Sequence, residues 1–161
     1  MATVKGIAYE WGLPVVGVST LHANAARVTD ADGFICALLD ARKREVYAAL
    51  FRRSGGSLTR LSEDAVISVP SVIELLLGAG ATDCVIIGDG AQAYEKLLSS
   101  ALGSATRIVA SDEYRSVAAE VATLSWGRFH AAKTDDLGAL VPLYLRLSEA
   151  QSKGTLFALT H

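Results

Sequence analysis

The chain begins with an apolar stripe at helical spacing. Gly12 and Pro14 predict the end of this first helix. We expect a short strand over residues 15–18 and then a second helix capped at its N-terminus by Ser19. The apolar residues fall at positions i, i+3, i+4 and i+7, which puts them on one helix face: Val4, Ile7, Ala8 and Trp11.

Next comes a part of the chain with the character of strands. Residues 34–39 are apolar at every position, which is typical of a central strand buried on both faces. A second strand is predicted over residues 45–51, and a more polar third strand, suited to a sheet edge, over residues 58–69. The turns at 40–44 and 54–57 make these three strands antiparallel neighbours.

In the remainder, helices alternate with short strands. Helices are predicted over residues 71–78, 91–98 and 116–130, and strands over residues 84–87 and 107–110. The last helix is expected to turn its apolar residues toward the core, namely Ala118, Val121, Ala122, Trp126 and Phe129.

This order of elements predicts an α/β fold. Because helical crossovers to parallel strands are right-handed and the polar third strand takes one edge, the fourth strand belongs beside the first. The result is a mixed five-stranded sheet of order 3-2-1-4-5 with helices on both faces. This layout resembles a ribonuclease H-like lobe of the actin/Hsp70-type (ASKHA) superfamily. We expect residues 1–32 to be the remnant of a first lobe, residues 33–148 a second lobe and residues 149–161 a C-terminal tail.

Composition narrows the class of protein. The chain has 161 residues, of which 51% are hydrophobic, enough for one domain with a real core. No apolar run reaches the ~18 residues of a membrane span. Fifteen basic against seventeen acidic residues leave a net charge of −2, so we expect no strong direct binding of nucleic acid. Cys36 and Cys84 lie in apolar runs and no signal peptide precedes them, which favours the cytoplasm.

Two short motifs are candidates for binding. Gly88, Asp89 and Gly90 stand between a strand and a helix, where glycines let a phosphate or adenosine approach the backbone or simply form a tight turn. The run 42–44, Arg-Lys-Arg, either contacts phosphates or forms a solvated hairpin tip. No nucleophile–base pattern or metal-ligand spacing is present, so no catalytic residue, metal or cofactor is predicted.

The first-helix stripe is a candidate interface. It either packs on the chain's own later residues or meets a partner, because the strands that would cover its other side are absent from the sequence. A mean hydropathy of +0.34 favours a surface that meets a partner. We therefore expect self-association or partner docking through Val4, Ile7, Ala8 and Trp11.

Four segments together resemble the bacterial TsaB (YeaZ) family, in the family's order. The resemblance implies a non-catalytic role in making threonylcarbamoyladenosine in tRNAs that read codons beginning with A. It also implies two partners, a TsaD-like catalytic subunit and a TsaE-like ATPase. The segments are residues 5–9 with 12–21, residues 40–47, residues 88–91 and residues 142–146.

The sequence departs from this family at its start. The family's first lobe opens with an Asp-Thr-Ser-type strand and a Gly-Pro-Gly-Ser-Phe-Thr-Gly-type loop, and both are missing here. We expect an N-terminally truncated member, whether a natural short form, a fragment or a wrongly assigned start. Two other functions stay open: a glycoprotease-like hydrolase, after an old label in the family, and a nucleotide-binding module at residues 88–91.

Overall fold

The computed structural model describes residues 1–81, 83–109, 116–143 and 145. The predicted tail over residues 149–161 lies outside the described residues. The described helices are α1 (Ala2–Trp11), α2 (Thr20–Ala26), α3 (Val69–Gly78), α4 (Asp89–Ala93), α5 (Glu95–Leu102) and α6 (Ala118–His130). The described strands are β1 (Gly33–Asp40), β2 (Glu45–Ser54), β3 (Ser57–Arg60), β4 (Ala65–Ser68), β5 (Val85–Ile87) and β6 (Arg107–Val109).

The strands form one mixed sheet of order β3-β2-β1-β5-β6, which confirms the predicted order. β1 pairs antiparallel with β2 and parallel with β5, and β5 pairs parallel with β6. As the all-apolar pattern predicts, the middle of β1 is buried on both faces, from Ile35 to Leu38.

The predicted single third strand is wrong. It divides into β3 and β4, which both pair antiparallel with β2. At the break, the four residues 61–64 stand opposite only Ala49 and Leu50 of β2. The backbone N–H groups of Leu61 and Ser62 both donate to the carbonyl of Leu50, at 2.8 and 3.2 Å, which is the geometry of a bulge.

Helices cover both faces of the sheet, as predicted. One face packs α3 and α5 against β1 and β2, in a cluster that contains Leu38, Leu50, Leu76 and Leu98. The other face packs α2 on the sheet, around Phe51. Cys36 and Cys84 are both free thiols in the first cluster, and burial raises the pKa of each.

Two further predictions from the pattern need correction. The expected strand over residues 15–18 is only a single bridge between Val15 and Asp135. The expected helix over residues 91–98 is two helices, α4 and α5, which break at Tyr94 where φ is −118°. A local apolar pattern does not mark such a break, because buried apolar residues occur on both sides of it, Ala91 in α4 and Leu98 in α5.

The predicted burial of α6 is also wrong. No residue of α6 is buried, and Trp126 and Phe129 are 64% and 48% exposed. Polar contacts of Arg27, the residue that follows α2, hold the start of this helix instead: Arg27 lies 3.9 Å from Glu120 of α6 and donates to the carbonyl of Ser116, just before α6, at 2.5 Å. Apolar spacing identifies the apolar face of a helix, but it does not reveal whether this chain covers that face.

Candidate partner surface and the glycine turn

Helix α1 turns one edge of its apolar stripe toward the rest of the chain. Ala8 is buried, and the Lys5 ammonium donates to the carbonyl of Leu140 at 2.9 Å. The helix ends at Gly12, whose φ of 60° is left-handed, and the next N–H, of Leu13, donates to the Ala8 carbonyl at 2.8 Å. These contacts fix the orientation of α1 on the chain.

The other edge of the stripe faces solvent. Val4, Ile7 and Trp11, which we call the first-helix surface, are 57%, 54% and 75% exposed. Tyr9 and Leu13 are exposed beside them in the sequence. Burying a large apolar side chain contributes about 1.5–3 kcal/mol of stabilisation. A partner that covered this edge of the helix would therefore gain binding free energy from it. Of the four stripe residues predicted as an interface, only Ala8 is already covered by the chain itself.

A polar network behind α1 joins the start of the chain to residues near its end. Asp135 accepts from the backbone N–H of Gly17 and from the guanidinium of Arg128, both at 2.6 Å. Asp136 accepts from the N–H groups of Gly138 and Ala139, at 2.6 and 2.9 Å. These hydrogen bonds lower the pKa of both carboxyls, with the Gly17 bond the largest cause at Asp135.

A cleft of about 590 Å³ lies beside the start of α2. Ser19 donates to Asp64 at 2.6 Å, but Asp64 is also paired with Arg60. His22 gives Ser19 only its backbone N–H, while its ring stacks on Phe51. Burial first, and then Arg60, lowers the pKa of His22. The polar lining residues are Ser19, Thr20, Tyr47, Asp64, Arg128 and Asp135.

The sequence missed this cleft. In the sequence, Asp64 and Asp135 stand out only as members of acid pairs near turns, with no His or Cys at ligand spacing. The residues that Asp64 and Asp135 contact include ones far away in the chain, Ser19 and Gly17, so no local motif predicts these contacts. In the part of the chain that the structure describes, no group of three or more His, Cys, Asp or Glu side chains is placed to hold a metal ion. Among the same residues, no helix has the length and apolar character needed to cross a membrane.

The glycine turn brings α4 into close contact with β1. At Gly88, with φ +119°, an added Cβ would lie 2.1 Å from the carbonyl oxygen of Leu38. At Gly90, an added Cβ would lie 3.0 Å from the backbone of Leu39. Asp89 accepts from the backbone N–H of Asp40 at 2.9 Å. Packing thus accounts for all three residues, and their predicted approach to a phosphate or adenosine stays a prediction.

The sheet order and the helices on both faces define an α/β protein with a ribonuclease H-like fold. A family model described as "TsaD: tRNA N6-adenosine threonylcarbamoyltransferase" matches residues 1–153. The chain belongs to this family. The two relatives described next confirm the predicted likeness to TsaB (YeaZ).

Two curated relatives carry the same name, tRNA threonylcarbamoyladenosine biosynthesis protein TsaB. The protein from Bacillus subtilis (strain 168) is 28% identical over 149 residues, which are 92% of this chain and 63% of the relative. The protein from Escherichia coli (strain K12) is 29% identical over 153 residues, covering 92% of this chain and 64% of the relative. The chain therefore spans less than two thirds of the length of the relatives it matches.

Solved structures support the fold. One is described as an uncharacterized protein with similarity to peptidase YEAZ from Pseudomonas aeruginosa, with a TM-score of 0.71 and 23% identity over 90% of this chain and 65% of that chain. Another is YeaZ from Pseudomonas aeruginosa, with a TM-score of 0.64 and 20% identity over 89% and 65% of the two chains.

The substitution Gly88→Ala is expected to lower the free energy of unfolding by about 3 kcal/mol or more, because a methyl group would collide with the Leu38 carbonyl and φ is unfavourable. Urea unfolding measures the loss. The control is Gly78→Ala in α3, where an added Cβ meets nothing within 4 Å; its stability should change by less than about 1 kcal/mol. A Gly88→Ala protein as stable as the wild type would contradict the described packing.

Acid is expected to loosen the network behind α1. The folded-state pKa of Asp135 is below its ordinary value of 3.8, so its stabilising contribution is complete above that value and is lost as the pH falls through the lowered pKa. Melting temperatures recorded from pH 7 to pH 2.5 should fall less steeply at the acid end in Asp135→Asn than in the wild type. Asp83→Asn, at an exposed carboxylate outside the network, should keep the wild-type profile. An Asp135→Asn profile parallel to that of the wild type would disprove this role.

Proposed function

We propose that this chain is a non-catalytic partner subunit in the synthesis of threonylcarbamoyladenosine in tRNA. In this proposal it binds a TsaD-like catalytic subunit through the first-helix surface, and a TsaE-like ATPase joins the assembly. Family membership supports the reaction. The observation that carries the proposal is the exposure of Val4, Ile7 and Trp11 on a helix whose opposite edge is fixed.

The geometry suits docking better than catalysis. Lys5 and Ala8 hold α1 from behind, so a partner meets a surface that is already oriented and loses little conformational entropy on binding. Large apolar side chains at the centre of an interface contribute most of its binding free energy. In the same proposal, residues 1–32 belong to a first lobe, residues 33–148 form the second, and the chain acts in the cytoplasm, where tRNA is modified.

A hydrolytic function has less support from the described residues. Among them, the cleft holds a hydroxyl bonded to a carboxylate, Ser19 to Asp64, but that carboxylate is already paired with Arg60. The ring of His22 stacks on Phe51 and does not accept from Ser19. The proposed role accordingly assigns the chain no nucleophile, metal or cofactor of its own.

The double substitution Ile7→Glu/Trp11→Glu should weaken binding of a TsaD-like subunit by about 100-fold or more, because two large apolar contacts are replaced by charges that must be desolvated. Calorimetric titration of the two purified subunits measures the change. Cells that depend on this chain should also lose threonylcarbamoyladenosine from their tRNA, as read by mass spectrometry of digested nucleosides.

The matched control is Leu77→Glu/Leu97→Glu. Both leucines are about as exposed as Ile7, at 51% and 46%, but they lie on α3 and α5. The control should bind like the wild type. If the wild type does not bind the catalytic subunit, or if both double variants lose equal affinity, docking through the first-helix surface is wrong.

Without its partner, the chain is expected to self-associate through residues 1–28, since two copies can cover each other's first-helix surface. Light scattering over a concentration series should report a dimer that Ile7→Glu/Trp11→Glu shifts to monomer. Because the catalytic subunit would use the same surface, its addition should dissociate the dimer by mass action. A wild type that is monomeric at every concentration would rule out self-association.

A further inference from the structure

The tip of the hairpin between β1 and β2 has an unusual backbone. Arg42, Lys43 and Arg44, which we call the hairpin tip, have φ values of 63°, 54° and 63°. All three are therefore left-handed, and none is glycine. The left-handed conformation places Cβ too close to the backbone in L-residues and costs about 1–2 kcal/mol for each residue.

The residue types do not suit this turn. The N–H of Glu45 donates to the carbonyl of Arg42 at 3.0 Å, so Lys43 and Arg44 are the two central residues of a hairpin turn. Turns with positive φ at both central positions strongly favour Asn-Gly, Asp-Gly or Gly-Gly, which adopt it with less strain. Lysine and arginine adopt this backbone conformation with more strain than glycine does.

The base of the hairpin imposes this conformation. Asp40 accepts from the N–H of Arg42 at 2.8 Å, and the N–H of Asp40 donates to Asp89 of α4 at 2.9 Å. Ala41 is buried, and its N–H donates to the carbonyl of Glu45 at 3.0 Å. Strained residues persist where the surroundings over-determine them, and they concentrate at binding and catalytic sites.

All three side chains of the hairpin tip are exposed cations. The side chain of Arg42 is 87% exposed and lies 3.7 Å from the Asp40 carboxylate, a surface pair of little energetic worth. The planar fork of an arginine matches the oxygens of a phosphate, which it can bind through two parallel hydrogen bonds. The tip therefore presents two arginines and a lysine on a backbone that is fixed before binding.

We propose that the hairpin tip binds phosphate groups of RNA. The proposal rests on the proposed function, in which tRNA is the substrate of the assembly. Phosphates repeat along a polynucleotide, so adjacent cations at one turn can each meet one. The net charge of −2 makes this contact weak for the isolated chain and strongly dependent on salt.

The test measures fluorescence anisotropy of a labelled, unmodified tRNA transcript with the full chain at low salt. Arg42→Gln/Lys43→Gln/Arg44→Gln should weaken binding at least tenfold and reduce the slope of log affinity against log salt by about 2–3. The control, Arg52→Gln/Lys96→Gln/Lys133→Gln, removes the same charge at exposed positions elsewhere and should weaken binding less than threefold. Equal losses in the two triple variants, or no binding by the wild type, would overturn the proposal.

A second variant separates strain from charge. Lys43→Gly should raise the melting temperature, because glycine accepts positive φ, and should also weaken tRNA binding as one cation is lost. A lowered melting temperature would contradict the strained turn on which the proposal is built. Glutamine, like lysine and arginine, is strained at positive φ. The melting temperature of Arg42→Gln/Lys43→Gln/Arg44→Gln should therefore match that of the wild type.

The result is independent of the first-helix surface. The anisotropy experiment contains no catalytic subunit. Its result can therefore be interpreted even if Ile7→Glu/Trp11→Glu does not affect binding of that subunit. If the hairpin-tip variant retains tRNA binding but loses the TsaD-like subunit, the tip contacts an acidic protein surface, and the RNA proposal is overturned while the partner role stands.

Discussion

The burial of β1 on both faces is the constraint on which the rest of the structure depends. Its residues from Ile35 to Leu38 contribute to both apolar clusters, so neither layer of helices can form without this strand. The strand also brings α4 so close that Gly88 has no space for a Cβ beside the Leu38 carbonyl. Where β1 ends, Asp89 holds Asp40, and Asp40 in turn fixes the first residue of the hairpin tip. These hydrogen bonds hold the strand end from which the left-handed turn begins.

The helices at the margin are held in a different way. α1 and α6 bury few or no apolar side chains, and polar contacts fix them: Lys5 with Leu140, Arg27 with Glu120, and Arg128 with Asp135. Polar anchors orient a helix without using its apolar residues. Trp11 and Trp126 therefore remain exposed on helices of defined position, an arrangement that suits docking to another protein.

The sequence predicted the fold where periodicity alone decides it. An apolar run over residues 34–39 is typical of a strand covered on both faces, and the short turn after it places the next strand antiparallel beside it. The prediction failed where long-range contacts decide. The third strand breaks next to Asp64, which accepts a hydrogen bond from Ser19, 45 residues earlier in the chain. No local pattern encodes that hydrogen bond. The apolar spacing of α6 was recognised, but spacing cannot tell a covered face from an uncovered one. From the sequence alone, Gly88 and Gly90 could allow close approach either of a phosphate or of a neighbouring strand. Only the short distance to the Leu38 carbonyl shows the close approach of β1.

The two surfaces that we propose as binding sites differ in chemistry. The first-helix surface is apolar, and its exposure to water is unfavourable. It therefore favours a protein partner that has an apolar face of its own. The hairpin tip is cationic, and its left-handed backbone costs free energy, as strained residues at binding sites often do. Glycine or asparagine at residues 43 and 44 would satisfy the turn and keep it soluble. We attribute the cations at these positions to the proposed binding of phosphates, while the hydrogen bonds of Asp40 and Asp89 keep the backbone in place.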